Sequence, residues 1–281
     1  MTNKWLKVAL MVTAIATGTS IKIDAETVLY VPQDDRPVSL QYTVDTAREA
    51  GMTVLTPPQH LISGKTYQGQ ADQIMAWVEQ NAGRADVMVL STDTLIYGGL
   101  VDSRKHNIPL STLQNRLKRI EGLKARNKNV RIYGFGTVMR SPRASGGGTE
   151  PAYYAEYGPT IFQIAALQDK LDSGSLTQEE TQKLMSLQAS VPVEYLQDWF
   201  DRRQKNMKIN KELIDETRSG VFDYFALGHD DTSQLSQSAL EGRYLNKYSK
   251  DISVEKYGSF PGADQLGLLL MGRSRTAGGR D

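Results

Sequence analysis

One arrangement recurs along the chain: a short apolar run rich in β-forming residues, then a cluster of polar residues, and then a helix-like segment. The run Val28–Val31 shows it first, and the charged cluster Asp34–Arg36 follows at once. The same order returns after three later runs, Val87–Leu90, Val130–Val138 and Phe222–Leu227. Strands that alternate with helices predict a parallel sheet joined by right-handed crossovers.

The predicted fold class is therefore α/β, with a mostly parallel sheet, alternating helices and a helical insertion at about 158–218. An open doubly wound sheet and an incomplete barrel both fit this order of elements. Two further strands are predicted at Met52–Leu55 and Ile252–Val254. The predicted helices are Ser39–Ala50, Ala71–Asn81, a helix from Ser111, and Ser236–Tyr248, with Gly158–Leu171, Leu176–Ser190 and Pro192–Arg218 inside the insertion.

Residues 1–25 are predicted to be a secretory signal, because a basic start precedes the apolar run Val8–Thr17 and the small residue Ala25. A retained membrane anchor and a plain N-terminal helix are the alternatives. Cleavage would leave residues 26–281 as a single α/β domain, secreted or placed in the cell envelope. No stable membrane insertion is expected after cleavage.

Composition narrows the classes of function. The chain has 281 residues, a formal charge of +1 and no cysteine. A charge this close to zero does not indicate a nucleic-acid partner or an anionic membrane surface. Without cysteine, the chain has no disulfide, no thiol nucleophile and no thiolate metal site. An exported protein of this composition folds on its apolar core alone.

The polar clusters and their neighbours form six recognisable segments: Pro32–Val38, Asp93–Arg104, Met139-Arg140 with Pro142, Arg202-Arg203 with Asn206, Asp230–Thr232 and Pro261–Asp264. Together they make the sequence similar to a bacterial family, the domain-of-unknown-function 4127 family. This resemblance extends to about residue 265 and implies no established chemistry. Members of that family are longer, and the ending Arg273–Asp281 is polar and rich in glycine, so we expect a truncated chain that stops within a domain.

The polar clusters are predicted to lie together, because the carboxyl ends of parallel strands share one edge of the sheet and ligands bind there. Several carboxylates in one cleft repel, so that one titrates as an acid while another stays ionised. Glycoside hydrolysis uses such a pair. The predicted catalytic residues are Asp230, Asp231 and Asp35, with Asp34 and Asp93 binding hydroxyls or sharing the catalysis. The structural alternative is that Asp230 caps the next helix and Asp231 forms a salt bridge.

Arginines near these acids are predicted to orient them or to bind an anionic group of the substrate, since a guanidinium binds a carboxylate or phosphate in two places. The alternative is an internal ion-pair network that supports the loops. These predicted substrate-binding arginines are Arg36, Arg104, Arg140 and Arg202. Asn206 joins them, because it lies four residues after Arg202 on one predicted helix face.

Tyr97 precedes two glycines and is predicted to bind substrate by stacking on a sugar ring, while the glycines permit close approach of the backbone. The alternative is a buried tyrosine whose hydroxyl is hydrogen-bonded. The glycine-rich Ser145–Thr149 is interpreted as a mobile loop or lid, because it lacks the lysine and the strand-to-helix setting of a phosphate-binding loop.

The histidines do not predict a metal site or a cofactor, because His60, His106 and His229 have no metal-ligand spacing. A mixed ligand role or an acid–base role for His229 stays open, as does an all-oxygen calcium or magnesium site on the aspartates. No serine stands in a nucleophile elbow.

The sequence therefore predicts an exported hydrolase that acts on a carbohydrate or cell-envelope glycan through clustered aspartates. A non-catalytic binding protein for a small polar ligand and a metal-dependent hydrolase, for example of phosphoesters, are the alternatives. The expected partner is a small-molecule or glycan substrate.

Overall fold

The structure of the protein is a computed structural model that describes residues 25–145, 147–231 and 233–278. The predicted signal segment lies outside these residues, apart from Ala25. In the ranges that are described, no helix is both long enough and apolar enough to span a membrane.

Six strands form a single sheet in the part of the chain that the structure describes. They are β1 (Thr27–Val31), β2 (Thr53–Leu55), β3 (Val87–Ser91), β4 (Arg131–Val138), β5 (Tyr224–His229) and β6 (Tyr257–Pro261). All neighbouring strands are parallel, and their order is β2-β1-β3-β4-β5-β6. The predicted α/β fold is therefore confirmed in its open form, and the sheet does not close into a barrel.

Helices connect the strands and cover both faces of the sheet. The ten helices of the described residues are α1 (Gln41–Glu49), α2 (Ala71–Asn81), α3 (Thr92–Tyr97), α4 (Leu100–Lys105), α5 (Leu110–Arg126), α6 (Tyr154–Asp172), α7 (Gln178–Ala189), α8 (Val193–Ser219), α9 (Gln237–Tyr248) and α10 (Leu266–Gly278). The short helices α3 and α4 are not predicted from the sequence, since they form within the polar segment that follows β3.

Alternate residues of the central strands pack into two separate layers, because successive side chains of a strand point to opposite faces. Leu29 and Val31 of β1 pack with α2, α5 and α8 in one layer. Val28 and Tyr30 pack with α1 and α10 in the other layer. Both faces of β1 are therefore apolar, which explains its uninterrupted apolar sequence and leaves the carboxyl edge for polar groups.

The helical insertion expected at about 158–218 is formed by α6, α7 and α8, which run from Tyr154 to Ser219 between β4 and β5. It has an apolar cluster of its own, in which the rings of Trp199 and Tyr154 lie 4.6 Å apart between centroids. Further along α8, Ile209 joins the layer beneath the sheet. Helix α8 therefore connects the insertion to the main core.

The sequence prediction of the sixth strand at Ile252–Val254 is wrong. Strand β6 begins at Tyr257, which pairs with Phe225 of β5. The Val254 side chain is 79% exposed, whereas Tyr257 is 8% exposed and packs in the core. Burial against the neighbouring strand selects the segment that extends the sheet, and β-branched content alone does not.

Close packing around β4 predicts that Gly134→Ala destabilises the fold. A Cβ atom at Gly134 would lie 2.5 Å from the ring of Phe222 and 2.8 Å from the ring of Phe225. Both rings are fully buried, so they have little room to move away. We expect the free energy of unfolding to fall by about 1–3 kcal/mol, as in other overpacked cores, and urea denaturation measures it.

Gly83→Ala is the matched control, since a Cβ atom at Gly83 meets no atom within 4 Å. It should change the free energy of unfolding by less than about 1 kcal/mol. Equal stability of the two variants would contradict the described packing of β4.

Candidate functional site

The order of strands reverses between β1 and β3, because the chain goes from β1 outward to β2 and then returns to the other side of β1. At such a switch point the connections diverge and leave a crevice outside the carboxyl ends of the strands. Asp34 follows β1 at this place, and Asp93 follows β3 in the first turn of α3. Two of the predicted clusters thus meet where open α/β sheets bind ligands.

A cleft of about 240 Å³ opens at this edge of the sheet, and we call it the carboxyl-edge cleft. Its lining comes from distant parts of the chain and consists of Asp34, Arg36, Lys65, Leu100, Val101, Arg104, Arg140, Thr149, Asp230 and Asp264. Five of these are residues predicted from the sequence: Asp34, Arg36, Arg104, Arg140 and Asp230. The strand-and-cluster pattern therefore brings one acid and one arginine from the first cluster together with residues that follow β3, β4 and β5.

Arg36 binds two carboxylates at the mouth of the cleft. Its Nε donates to Asp34 at 2.8 Å, and its backbone N–H donates to the same carboxylate at 3.2 Å. Its Nη2 donates to Asp264 at 2.7 Å. Asp34 is buried, whereas the side chain of Asp264 is half exposed. Arg36 therefore ties the segment after β1 to the segment after β6.

Arg104 and Asp230 form an ion pair in the wall of the cleft. Burial lowers the pKa of Arg104 and raises the pKa of Asp230, while the charge of each partner opposes the shift of the other. Arg104 Nε has no hydrogen-bond partner in the described part of the chain, although the atom is buried. The helix after β5 is capped by Ser236, so the alternative that Asp230 caps it is wrong.

Arg140 follows β4 and is bound by the last residue of the glycine-rich loop and by the residue after it. Its Nε donates to Glu150 at 2.7 Å, and its Nη2 donates to Thr149 at 2.7 Å. The side chain of Glu150 is fully buried. The predicted loop Ser145–Thr149 thus reaches the carboxyl-edge cleft through Thr149, and Gly146 lies outside the described residues.

Arg203 of α8 holds the end of β4 in position. Its Nη2 and Nη1 donate to the carbonyl oxygens of Met139 and Arg140, at 2.6 and 2.9 Å. Its Nε and Nη2 also donate to the two carboxylate oxygens of Glu241 on α9, at 2.8 and 2.7 Å. Both residues are buried. This paired guanidinium therefore sets the direction in which Arg140 leaves the sheet.

Arg202 and Asn206 lie on one face of α8, as predicted, but neither occurs among the described residues that line the cleft. Asn206 Nδ2 donates to the carbonyl oxygen of Ser103 at 2.8 Å, and its Oδ1 lies 2.8 Å from His106 Nε2. Arg202 Nε donates to the carbonyl oxygen of His106 at 2.7 Å. The two side chains therefore hold the end of α4, the helix that carries Arg104.

Tyr97 is buried, and its ring stacks on His106 with centroids 4.9 Å apart. Its hydroxyl has no hydrogen-bond partner among the described residues, and burial raises the pKa of Tyr97 well above its usual value. The ring thus packs from the end of α3 against the residue that follows α4, and it is not among the described residues that line the carboxyl-edge cleft.

The two glycines after Tyr97 bring two backbones together. Gly98 has a φ of 112°, which favours glycine, and a Cβ atom at Gly69 would collide with the Gly98 carbonyl oxygen. Lys65 lies just before this contact, in a turn closed by a 3.1 Å hydrogen bond from the Gly64 N–H to the Tyr67 carbonyl oxygen. Lys65 itself lies in the wall of the cleft.

Asp93 lies beneath the cleft and is almost completely buried. Its carboxylate accepts hydrogen bonds from Thr137 Oγ1 at 2.7 Å and from Gln33 Nε2 at 3.4 Å. Burial raises the pKa of Asp93 to about 6, although these hydrogen bonds act in the opposite direction. Asp93 therefore links the ends of β1, β3 and β4 and does not itself line the cleft.

Asp231 and Asp35, the other two predicted catalytic residues, lie beside the cleft. The Asp231 carboxylate accepts hydrogen bonds from the backbone N–H groups of Ser141 and Ser233, at 3.2 and 2.9 Å. Asp35 accepts a hydrogen bond from the Tyr67 hydroxyl at the exposed rim. Asp231 thus shapes the turns after β4 and β5, while Asp35 ties the first cluster to the loop that carries Lys65.

Histidines and carboxylates do not form a ready metal centre within the ranges that the structure covers. No group of three or more His, Asp or Glu side chains is arranged there to hold a metal ion. His229 Nε2 lies 2.7 Å from Ser259 Oγ, and burial lowers the pKa of His229. The charges that the described cleft presents to a ligand are those of arginine, lysine and aspartate.

Among the charged residues that line the described cleft or hold Arg140, four are not among the site residues predicted from the sequence: Lys65, Glu150, Arg203 and Asp264. Arg203 and Asp264 stand in two of the segments that carry the family resemblance, and this was the signal that could have identified them. Lys65 and Glu150 lie in loops that have no periodic pattern, so the sequence offered no comparable signal for them.

A comparison with protein families identifies the family of the chain. The model of the family described as "Protein of unknown function (DUF4127)" matches residues 28–278, which is most of the chain. The chain therefore belongs to this family, and the resemblance drawn from the sequence is confirmed. No curated protein matches the sequence.

Burial of Asp93 predicts that the stability of the Asp93→Asn variant, relative to wild type, increases as the pH rises. The folded-state pKa of about 6 lies above the usual value of 3.8. Asp93 therefore favours the folded state below about pH 4, and this contribution is lost as the pH rises through about 6. The free energy of unfolding of the variant, relative to that of wild type, should increase by up to about 3 kcal/mol between pH 4 and pH 8. Urea denaturation at each pH measures this difference.

Asp45→Asn serves as the control, because Asp45 is exposed on α1. Its stability relative to wild type should change little over the same range of pH. A difference between Asp93→Asn and wild type that is the same at pH 4 and pH 8 would contradict the burial described for Asp93.

The buried pair on α8 and α9 predicts a large loss of stability in Arg203→Met. The substitution leaves the Glu241 carboxylate buried without its counter-ion, which costs about 3–5 kcal/mol in comparable pairs. Lys208→Met is the matched control on the same helix, since Lys208 pairs with Glu212 at 3.4 Å on the exposed face. Lys208→Met should lower the free energy of unfolding by less than about 1 kcal/mol. Equal losses in urea denaturation would show that Arg203 does not hold β4 as described.

Proposed function

We propose that the protein is an exported hydrolase of a carbohydrate or cell-envelope glycan, and that the carboxyl-edge cleft binds the sugar unit at the bond to be cleaved. The observation that carries this proposal is that two carboxyl groups with different surroundings, Asp34 and Asp230, line the same small cleft. Hydrolysis of a glycosidic bond needs a carboxylic acid that protonates the leaving oxygen and a carboxylate that activates water or attacks the sugar.

Asp230 is assigned the role of the acid. Burial raises its pKa and so favours the protonated form, although the neighbouring Arg104 charge opposes the shift. Asp34 is assigned the role of the base or nucleophile, since Arg36 donates to its carboxylate at 2.8 Å. Asp230 would give its proton to the leaving oxygen as the bond breaks. Asp34 would take a proton from the attacking water, or form the bond to the sugar in a retaining reaction.

The remaining charged side chains of the cleft are assigned to substrate binding. Arg140, Lys65 and Asp264 line its walls and offer donors and acceptors to hydroxyl groups. Its volume of about 240 Å³ is below the roughly 300–1,000 Å³ of sites for drug-sized ligands. The size thus supports one small polar unit as the ligand. Export rests on the signal-like sequence of residues 1–25 alone.

A non-catalytic binding protein for a small polar ligand is the second candidate. One observation favours it: each of the three carboxylates that line the cleft already accepts a hydrogen bond from a guanidinium group. Arg36 binds Asp34 and Asp264, and Arg104 binds Asp230. Carboxylates that are paired in this way can hold ligand hydroxyls without taking part in a reaction.

The proposal predicts that Asp230→Asn and Asp34→Asn each lower turnover by about 10²–10⁴-fold, because asparagine cannot give or take the proton. Release of nitrophenol from a panel of nitrophenyl glycosides measures turnover, and circular dichroism checks that the variants are folded. Asp35→Asn and Asp231→Asn should retain most of the activity, since neither side chain lines the described cleft. Asp45→Asn on the exposed face of α1 is the control.

Two results would contradict the assignment. Full turnover in Asp34→Asn or in Asp230→Asn would remove that residue from the chemistry. Saturable binding of a glycoside by the wild-type protein, with no turnover of any glycoside in the panel, would favour the binding protein over the hydrolase.

A further inference from the structure

We propose that the ligand of the carboxyl-edge cleft carries an anionic group, a carboxylate or a phosphate, that binds between Lys65 and Arg104. The substrate class is then an acidic sugar, such as a uronic acid or a sugar phosphate. This inference rests on the proposed function in one respect, namely that the cleft is the substrate site.

The first observation concerns Arg104. The residue is 4% exposed, yet its Nε atom is buried and makes no hydrogen bond with any described residue. A buried donor without a partner is costly, so such a donor in the wall of a cleft indicates an acceptor that arrives with the ligand. Only one nitrogen of this guanidinium, Nη2, is bound to Asp230. The ion pair therefore leaves donors of Arg104 available.

The second observation concerns Lys65. Its side chain lines the same cleft, and no hydrogen bond or ion pair joins it to the described residues. The arginines of the cleft differ from it, because Arg36, Arg104 and Arg140 are each paired with a carboxylate. Lys65 is thus a positive charge that the described fold brings to the cleft without a counter-ion.

The unused donors, rather than the net charge, distinguish between ligand classes. In formal charge, with every carboxyl group counted as ionised, buried Glu150 behind Arg140 and the three aspartates of the described lining equal its four cations. A cationic ligand would meet Arg104 and Lys65 directly. A neutral sugar would offer a hydroxyl to Arg104 Nε, while the charge of Lys65, which is exposed, would stay solvated without a counter-ion. An anionic oxygen satisfies both groups with charge-assisted hydrogen bonds.

Calorimetric titration of the wild-type protein tests this inference with four probes: glucuronate, glucose 6-phosphate, inorganic phosphate and glucose. At low ionic strength we expect at least one anionic probe to bind about tenfold or more tightly than glucose. Added salt should weaken the binding of the anionic probe and leave the binding of glucose unchanged. The ranking of glucuronate and the two phosphates identifies whether the anionic group is a carboxylate or a phosphate.

Lys65→Gln should weaken the binding of the anionic probe about tenfold and the binding of glucose much less, because it removes the charge and keeps a polar side chain that can still contact a hydroxyl group. Lys183→Gln is the matched control, since Lys183 is exposed on α7 away from the cleft. Arg104→Lys keeps the positive charge but removes the Nε donor. It should therefore also weaken the binding of the anionic probe. Circular dichroism confirms that each variant is folded before titration.

The outcomes separate this inference from the proposed function. Anion binding that depends on Lys65, without cleavage of any nitrophenyl glycoside or uronide, supports the anionic ligand and contradicts the hydrolase. Cleavage of neutral glycosides with no preference for the acidic analogues supports the hydrolase and overturns the anionic ligand. Equal affinity for glucose and the anions, no anion binding at all, or anion binding that Lys65→Gln leaves unchanged also overturns it.

Discussion

Hydrogen bonds from buried side chains of α8 to backbone carbonyls determine where two arginines of the carboxyl-edge cleft lie. Arg203 donates to the carbonyl oxygen of Arg140, and Asn206 donates to the carbonyl oxygen of Ser103, the neighbour of Arg104. Because the donating side chains are buried, these bonds are costly to break and they fix the direction of both chain segments. The insertion between β4 and β5 therefore supports the carboxyl edge from behind, in addition to forming an apolar cluster of its own.

The carboxyl-edge cleft contains several charged residues that contribute little to the stability of the fold. Arg104 and Asp230 are largely removed from water, and desolvation of an ion pair cancels much of its Coulombic gain. A hydrophobic pair of similar size would hold the fold about as well. The arrangement is better explained by binding, since desolvated donors and acceptors in fixed positions interact strongly with a polar ligand.

The sequence allowed five of the six strands and half of the cleft lining to be predicted, because parallel strands bring their carboxyl ends to one edge whatever the helices between them do. It did not separate Asp230 from Asp231, since neighbouring side chains diverge and only the conformation of the turn after β5 decides which one faces the cleft. It also did not identify Lys65 or Glu150. Their positions depend on how loops pack on one another, and a loop has no hydrophobic period from which packing can be inferred.

The contact between Gly69 and the carbonyl oxygen of Gly98 couples the shapes of two loops of this protein. The two backbones touch with no side chain between them, so a larger residue in one loop displaces the other loop as well. Lys65 and Arg104 stand on the two sides of this contact and would move together. A change in the shape of one loop thus requires a compensating change in the other, whereas side chains of the cleft can be exchanged on an unchanged backbone.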